Sequence, residues 1–175
     1  TTAQTSAANI DQLKVYQNNC LIGPPTTTCP DSPSDVDTDY TDAMTYMNKT
    51  TVMPNPGNGT NAAGDTPQEV LFFVTDGVED QNVSGSRVQS VMDPSYCTAI
   101  KNRGIRIAVL YTQYLPIPNN NWYTAHVQPF QSQIEPNLQS CASPGLYSMV
   151  QEGGDISGAL QGLFSAAIET ARLTQ

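Results

Sequence analysis

A run of five apolar residues, Val70 to Val74, constrains the fold of this chain more than any other feature. The run is too short for a free-standing helix. It is also too continuous for a strand that has one face exposed to solvent, which would alternate apolar and polar residues. It is typical of a parallel strand that is covered on both faces. Thr75-Asp76-Gly77 follows directly, which places a carboxylate at the carboxyl end of the strand and a glycine at the turn. Ligands of open α/β sheets bind at that end, and we expect a cation there.

The segments that follow alternate between strand and helix signals. Asp93 before Pro94 is a good helix start, and Gly104 is a good stop. Further elements are a second strand at Ile105–Tyr111, a third at Leu146–Val150, and a terminal helix capped by Asp155, whose apolar stripe from Ile156 to Ala171 we assign to the core. Strand, helix and strand at this spacing form a βαβ unit. The sequence therefore predicts an α/β fold, a mostly parallel, doubly wound sheet flanked by helices.

Weaker sequence patterns predict the secondary structure of the remaining segments. Periodic apolar residues predict helices at Ala8–Leu21 and Tyr40–Met47. We expect a polar loop at Glu79–Gly85, a helical turn at Arg87–Met92 and irregular structure from Pro116 to Gln139.

Composition narrows the classes of partner. The chain has 175 residues, which favours a single domain, and a net charge of −9 with only seven scattered lysines and arginines. Nucleic acid is therefore an improbable partner. No apolar stretch approaches the roughly 18 residues of a membrane span, so we expect no membrane contact by this segment. Because the chain begins at Thr1, we expect a processed or excised piece of a longer protein.

The four cysteines suggest disulfide pairing. Cys20 and Cys29 bracket a turn-rich segment that closes easily, and Cys97 and Cys141 would then form a long-range bridge. Four cysteines allow three connectivities, and four buried free thiols are the alternative. Zinc is disfavoured because the chain has one histidine and no CxxC spacing. Disulfides would indicate an oxidising location, such as the periplasm or the cell surface.

The segment Phe72-Phe73-Val74-Thr75-Asp76-Gly77 resembles the fourth strand of von Willebrand factor A-type (vWA) domains. The resemblance implies a Rossmann-like fold and a metal-ion-dependent adhesion site for Mg²⁺ or Ca²⁺. Asp76 corresponds to the ligand on the third loop of that site. Thr38 is the candidate for the second loop, where Asp37 stands in place of the usual glycine.

The chain departs from the vWA pattern in its first loop. The Asp-x-Ser-x-Ser motif of the family is absent, since Asp31-Ser32-Pro33-Ser34 lacks the spacing. The resemblance thus implies that residues 1–175 form a partial vWA-like domain, whose first strand, first helix and second strand lie upstream. Thr38 and Asp76 alone cannot satisfy an octahedral magnesium ion. We also expect a companion fragment or a second copy to complete the sheet, because the Val70 strand would otherwise have a bare edge.

The second half of the chain resembles the vWA domains of bacterial tight-adherence (Tad/Flp) pilus assembly proteins. The matching segments are 93–97, 109–112, 141–144 and the closing helix 160–173. This resemblance implies a disulfide between Cys97 and Cys141 and a periplasmic or extracellular location. The expected function is a non-enzymatic adhesion module that binds a pilus component or a surface receptor. The alternatives are a structural scaffold with a vestigial metal site and, as a weaker candidate, a secreted hydrolase.

Three further patterns have functional interpretations that we consider weaker than structural ones. Asp35, Asp37 and Asp39 are spaced like calcium-loop ligands but lack the loop's glycine and final glutamate, so a solvated acidic loop is favoured. The aromatic residues Tyr111, Tyr114, Trp122 and Tyr123 could form a partner-binding patch, although such residues more often pack a loop onto the core. His126, the only histidine, would have to serve any hydrolase, but it has no nucleophile motif near it.

Overall fold

A computed structural model describes residues 15–17, 20–22, 38–60, 62–84 and 86–172. The strands are β1 (Val15–Gln17), β2 (Cys20–Ile22), β3 (Val70–Thr75), β4 (Val78–Val83), β5 (Ser86–Val91), β6 (Arg106–Thr112) and β7 (Tyr147–Val150). The helices are α1 (Tyr40–Met47), α2 (Pro94–Lys101), α3 (Asn121–His126), α4 (Gln131–Cys141) and α5 (Ile156–Arg172). The chain divides into two units, residues 1–37 with 80–88, and residues 38–79 with 89–175.

A parallel sheet of three strands, in the order β3-β6-β7, organises the larger unit. Val109 of β6 lies opposite Phe73 of β3 and opposite Tyr147 of β7. The three strands are those that the apolar runs predict, and their parallel pairing confirms the βαβ interpretation. The structure is thus a mixed α/β fold with a parallel sheet, compatible with a Rossmann-like arrangement.

Helices cover both faces of this sheet. On one face, the β6 residues Ile107 and Val109 join a buried cluster that includes residues of α1, α2 and α4. On the other face, Leu163 of α5 packs with Leu110 and Val150. Alternate residues of β6 therefore point into two different apolar layers, as the period of a strand requires.

Strand β3 is covered less completely than its continuous apolar run predicts. It lies at one edge of the three-stranded sheet that the structure describes, and the side chains of Phe72 and Val74 are 36% and 51% exposed. The prediction of a strand covered on both faces is therefore wrong for these residues. The physical reason is that α5 packs over β6 and β7, so its Phe164 reaches only the rim of β3, at 6.2 Å between the ring centroids of Phe72 and Phe164.

The apolar stripe of α5 is also only partly core. Leu163 and Ala167 are buried, whereas Ile156, Phe164 and Ile168 are exposed. The helix itself is confirmed, and the Asp155 carboxylate accepts a hydrogen bond from the Gly158 N–H at 2.8 Å. The apolar stripe of α5 is wider than the surface of the three described strands, so its outer residues stay exposed.

A β-hairpin replaces the polar loop and the helical turn predicted for residues 79–92. Strands β4 and β5 pair with each other, and Ser84 at the reversal has a φ of 55°. The Asp80 carboxylate accepts a hydrogen bond from Arg87 Nε at 2.9 Å across the hairpin. Cross-strand charge pairs of this kind stabilise hairpins whose exposed face is polar, and such strands lack an apolar run that would reveal them.

The helix predicted for Ala8–Leu21 is contradicted where the structure describes it. Strands β1 and β2 pair in antiparallel fashion, with Val15 opposite Ile22 and Gln17 opposite Cys20. A β-branched pair such as Val15 and Ile22 favours strand pairing over helix. The rest of the predicted helix lies outside the described residues.

The segment predicted to be irregular, Pro116–Gln139, instead contains helix α3 and most of helix α4. Helix α3 begins after Asn120, whose side chain accepts a hydrogen bond from the Tyr123 N–H at 3.0 Å. Helix α4 buries Ile134 and Leu138 at helical spacing. Pro136 lies inside α4, and prolines usually end helices, which is why the pattern predicts irregular structure.

Helices α1 and α2 are confirmed at the positions that the sequence predicts. The Asp39 carboxylate accepts a hydrogen bond from the Asp42 N–H, and the Asp93 carboxylate accepts one from the Ser95 N–H, each at 2.8 Å. Gly104, after α2, has a φ of 84°. Side-chain caps and a left-handed glycine therefore set these ends as expected.

The disulfide between Cys97 and Cys141, which the pilus-protein resemblance implies, is present. It joins α2 to α4 with a Cα–Cα distance of 5.1 Å, and both cysteines are fully buried. A buried disulfide is typical of proteins from oxidising compartments. Cys29 lies outside the described residues, so its pairing with Cys20 stays a prediction.

Among the helices described, none has the length and apolar character that crossing a membrane requires.

We predict that replacing both Cys97 and Cys141 with Ala lowers the free energy of unfolding by about 4 kcal/mol, because the bridge closes a long loop in the unfolded chain. Urea denaturation of the wild-type protein and the double variant measures the difference. As a control, Ser140→Ala next to the bridge, at an exposed position, should leave the urea midpoint unchanged. Equal midpoints for the double variant and the wild type would contradict the prediction.

Candidate functional site

The turn after β3 is closed by its own side chains. Gly77 has a φ of 87°, a conformation that glycine adopts without strain. The Thr75 hydroxyl oxygen accepts a hydrogen bond from the Gly77 N–H at 2.9 Å, and Asp76 Oδ1 accepts one from the Val78 N–H at 3.1 Å. The Asp-Gly pair therefore forms a tight turn at the carboxyl end of the sheet, as the sequence predicts.

Gly77 also lies directly against α4. A Cβ atom at this position would stand 2.2 Å from Ile134 Cγ2 and 3.2 Å from Leu138 Cδ1. Both of those residues are fully buried. Only glycine therefore allows the turn to approach the helix this closely, and the contact holds Asp76 in a fixed place.

Glu79 connects the start of β4 with the start of α1. Its side chain is buried, and Oε1 accepts hydrogen bonds from the backbone N–H groups of Tyr40 at 2.9 Å and Thr41 at 3.2 Å. Oε2 accepts one from the Ser90 hydroxyl at 2.7 Å. A carboxylate at a helix N-terminus is stabilised by the unpaired N–H groups and by the helix dipole. The hydrogen bonds of Glu79 therefore have a structural role, since they join the start of β4 to the start of α1 and to Ser90.

Of the two candidate metal ligands, Asp76 lies near the buried phenol of Tyr40, and Thr38 precedes Tyr40 in the chain. Thr38 lies in an isolated β-bridge just before α1, and Tyr40 follows two residues later. Burial raises the pKa of the Tyr40 phenol, and the negative charges of Asp76 and Glu79 raise it further. The Tyr40 hydroxyl and the Thr75 hydroxyl are hydrogen-bonded. The structure places Asp76 and the Tyr40 phenol at the carboxyl end of the sheet, and among the described residues no hydrogen bond joins the side chains of Thr38 and Asp76.

The residues that the structure describes do not form a complete cation site. Asp76 Oδ1 already accepts the Val78 N–H, and Thr38 and Asp76 offer two ligands where Mg²⁺ requires an octahedral set. Among the residues that the structure describes, no group of three or more His, Cys, Asp or Glu side chains could hold a metal ion. In the alternative calcium loop, Asp35 and Asp37 lie outside the described residues, and Asp39 caps α1.

A cleft of about 520 Å³ opens beyond the carboxyl end of β6. This volume lies within the range of ligand-binding clefts, roughly 300–1,000 Å³. Its walls come from the end of β6, the segment that follows, and α4. The lining residues are Tyr111, Gln113, Tyr114, Pro116, Gln128, Gln131, Ser132, Glu135 and Pro136.

Hydrogen bonds fix one wall of this cleft. The Tyr111 phenol oxygen accepts the Tyr114 N–H at 3.1 Å, and Gln131 Nε2 donates to the Tyr114 carbonyl at 3.3 Å. The Tyr123 hydroxyl donates to Gln131 Oε1. The rings of Tyr114 and Tyr123 are stacked, with 6.3 Å between centroids. Both backbone polar groups of Tyr114 are thus satisfied, and the wall is rigid.

The four aromatic residues considered as a patch have different roles. Tyr111 and Tyr123 are buried, Tyr114 is partly buried, and Trp122 is exposed. Tyr111 and Tyr114 line the cleft. Trp122 stacks on His126 with 3.9 Å between ring centroids, and His126 is exposed on α3. The set therefore does not form one continuous patch.

Sequence patterns point to Asp76 but not to the polar residues of the cleft. Gln131 and Glu135 lie in the segment predicted to be irregular, so nothing placed them on one helix. The apolar spacing of Ile134, Leu138 and Cys141 was the available signal, since it marks a helix whose other face must be exposed. Glu135 and Ser132, three residues apart, would then share that exposed region.

Comparisons with known proteins do not assign the chain to a class. It matches no known family model, no curated protein and no solved structure.

We predict that Gly77→Ala lowers the free energy of unfolding by about 2–4 kcal/mol, because it adds both left-handed strain and a steric clash. Gly153→Ala is the matched control. Gly153 has a φ of 74° with no atom within 4 Å of an added Cβ, so it should cost only the strain, about 1–2 kcal/mol. Chemical denaturation of both variants measures the two effects. Equal losses would contradict the close packing of the turn on α4.

Proposed function

We propose that this chain is a non-enzymatic protein-binding module that binds its partner at the carboxyl end of its parallel sheet. The observation that supports it most is the acidic, tyrosine-rich surface at that end. Burial raises the pKa of the Tyr111 phenol, and the nearby charges of Glu135 and Asp76 raise it further. Two carboxylates thus stand close to one phenol, on elements held rigid by the Gly77 contact and the hydrogen-bonded cleft wall.

The more specific proposal is a vWA-like adhesion module of a bacterial pilus assembly or surface protein, located in the periplasm or outside the cell. Two features of the structure agree with what the resemblance implies. The Thr75-Asp76-Gly77 turn ends a strand of a parallel sheet, and a disulfide joins Cys97 to Cys141. The pilus context and the location are proposed on the resemblance and on the disulfide.

A structural scaffold is the main alternative, and one observation favours it. The oxygens of Thr75, Asp76 and Glu79 accept backbone N–H groups of the fold itself. Side chains used in this way stabilise a turn and a helix start without any ligand. A secreted hydrolase, the weaker alternative, would depend on His126, which stacks on Trp122.

Site-specific photo-cross-linking tests the binding module. We expect p-benzoylphenylalanine in place of Gln113, an exposed residue beyond β6, to capture a protein from a surface-protein extract of the native host. The same group in place of Asn102, exposed where α2 ends near the amino end of the sheet, is the control. Capture at neither position would favour the scaffold, and capture only at Asn102 would contradict the proposed binding end.

Metal titration tests the cation hypothesis separately. We expect millimolar Mg²⁺ or Ca²⁺ to leave the Tm of the isolated chain unchanged, because an incomplete ligand set binds too weakly to stabilise the folded state. Differential scanning calorimetry measures the Tm. A rise in Tm that Asp76→Asn removes and Glu169→Gln retains would instead show that Asp76 belongs to a working cation site. In that case the adhesion module would be cation-dependent.

A further inference from the structure

We propose that the cleft beyond β6 binds a cationic side chain of the partner, an arginine in an extended segment. The inference rests on the proposed function, and it names the chemistry by which the partner is recognised. Three observations support it: the uncompensated charge of Glu135, the hydrogen-bond acceptors along α4, and the tyrosine rings of the fixed wall.

Glu135 provides the negative charge of the cleft. It is partly buried, and its Oε1 accepts hydrogen bonds from Gln139 Nε2 at 3.1 Å and from the Tyr147 hydroxyl at 3.3 Å. These neutral donors orient the carboxylate but do not neutralise it. Burial and the charge of Glu135 both raise the pKa of the Tyr147 phenol, so Tyr147 stays a neutral donor at physiological pH.

No lysine or arginine side chain that the structure describes pairs with Glu135. Each of them is engaged elsewhere. Lys49 lies over the Tyr46 ring, Arg87 pairs with Asp80, Lys101 donates to the Ser140 carbonyl, Arg103 donates to the Met53 carbonyl, and Arg106 donates to the Ala167 carbonyl. A cation for the cleft is therefore most readily supplied by another molecule, and the net charge of −9 attracts cationic partners.

The cleft also has a backbone acceptor that an ordinary helix would not offer. Pro136 has no N–H to donate to the Ser132 carbonyl four residues earlier, so this oxygen lacks its usual helical donor. Ser132 and Pro136 both line the cleft. An ammonium carries its three N–H donors on a single nitrogen, whereas a guanidinium has five in a planar fork and can reach a carboxylate and a separate carbonyl together.

The tyrosine wall suits a planar cation. Tyr111 and Tyr114 line the cleft, and Tyr114 is held by its stacking on Tyr123 and by Gln131. Guanidinium groups stack on aromatic rings, and Tyr is a favourable partner for them. Because the wall is fixed before binding, little ordering of side chains is needed when the ligand enters. A neutral sugar would gain the aromatic contact but would leave the charge of Glu135 uncompensated.

NMR titration of the full chain with the peptide acetyl-Gly-Gly-Arg-Gly-Gly-amide tests the proposal. We expect saturable shifts in ¹H–¹⁵N spectra at the backbone amides of Tyr111 and Glu135 and at the side-chain amide of Gln131. The same peptide with Gln in place of Arg should give no such shifts. Added salt should weaken binding, because it screens the ion pair.

Glu135→Gln should weaken binding of the Arg peptide about fivefold or more, since it removes the charge from a charge-assisted hydrogen bond while keeping an oxygen acceptor. Glu169→Gln on α5 makes the same change in net charge at an exposed site outside the cleft and should bind as the wild type does. Ser132→Arg is a second variant; it places a guanidinium three residues from Glu135 on the same helix and should block the peptide by filling the cleft.

Several results would overturn the proposal: no shifts at the cleft with the Arg peptide, equal affinity for wild type and Glu135→Gln, or shifts with neutral maltotriose in place of the peptide. The proposed function and this inference fail separately. Capture of a protein through position 113, with no Arg-peptide shifts, overturns the inference alone. Capture only at position 102 contradicts the proposed function and, with it, the assignment of the arginine to that partner, whereas Arg-peptide shifts that depend on Glu135 would still show that the cleft binds a guanidinium group.

Discussion

The burial of β6 between two neighbouring strands and two helical layers is the constraint on which the rest of the structure depends. Five consecutive residues, Ile107 to Tyr111, are at most 4% exposed. Alternate side chains enter the two apolar layers, so a shift of register by one residue would exchange the contents of both layers. The end of the strand is therefore fixed, and so are Tyr111 and the cleft that opens beyond it.

The same burial explains which elements could be predicted from the sequence. A strand with both faces covered leaves a continuous apolar run, and β6 meets that description. The Val70–Val74 run has the same pattern, yet β3 lies at one edge of the described sheet with Phe72 and Val74 exposed. A run of apolar residues thus indicates that a strand is able to be buried on both faces. Whether it is buried depends on the strands and helices that pack against it. Capped helices such as α2 were predictable because their signals are local.

The elements that could not be predicted are those that are defined by tertiary contacts and not by their local sequence. Strands β4 and β5 carry polar residues on both sides of their turn, and pairing rather than burial defines them. Helix α4 contains Pro136, a helix breaker by local rules, but the burial of Ile134, Leu138 and the disulfide-bonded Cys141 holds it together. For the site, Asp76 could be predicted from its place after a strand. Glu135 could not, because it belongs to the cleft only through the packing of α4 against the sheet.

Two exposed surfaces in the described part of the larger unit differ in physical character. The rim formed by Phe72, Val74 and Phe164 is apolar and borders the edge of β3 that no strand of the described part pairs with. Apolar contact with an unpaired strand edge favours permanent assembly, in keeping with the expected companion fragment or second copy. The cleft at Glu135 is polar, charged and already ordered. Charge complementarity of that kind contributes specificity and association rate more than affinity. The apolar rim is therefore suited to burial against another chain, whereas selecting a partner is the role that we propose for the cleft.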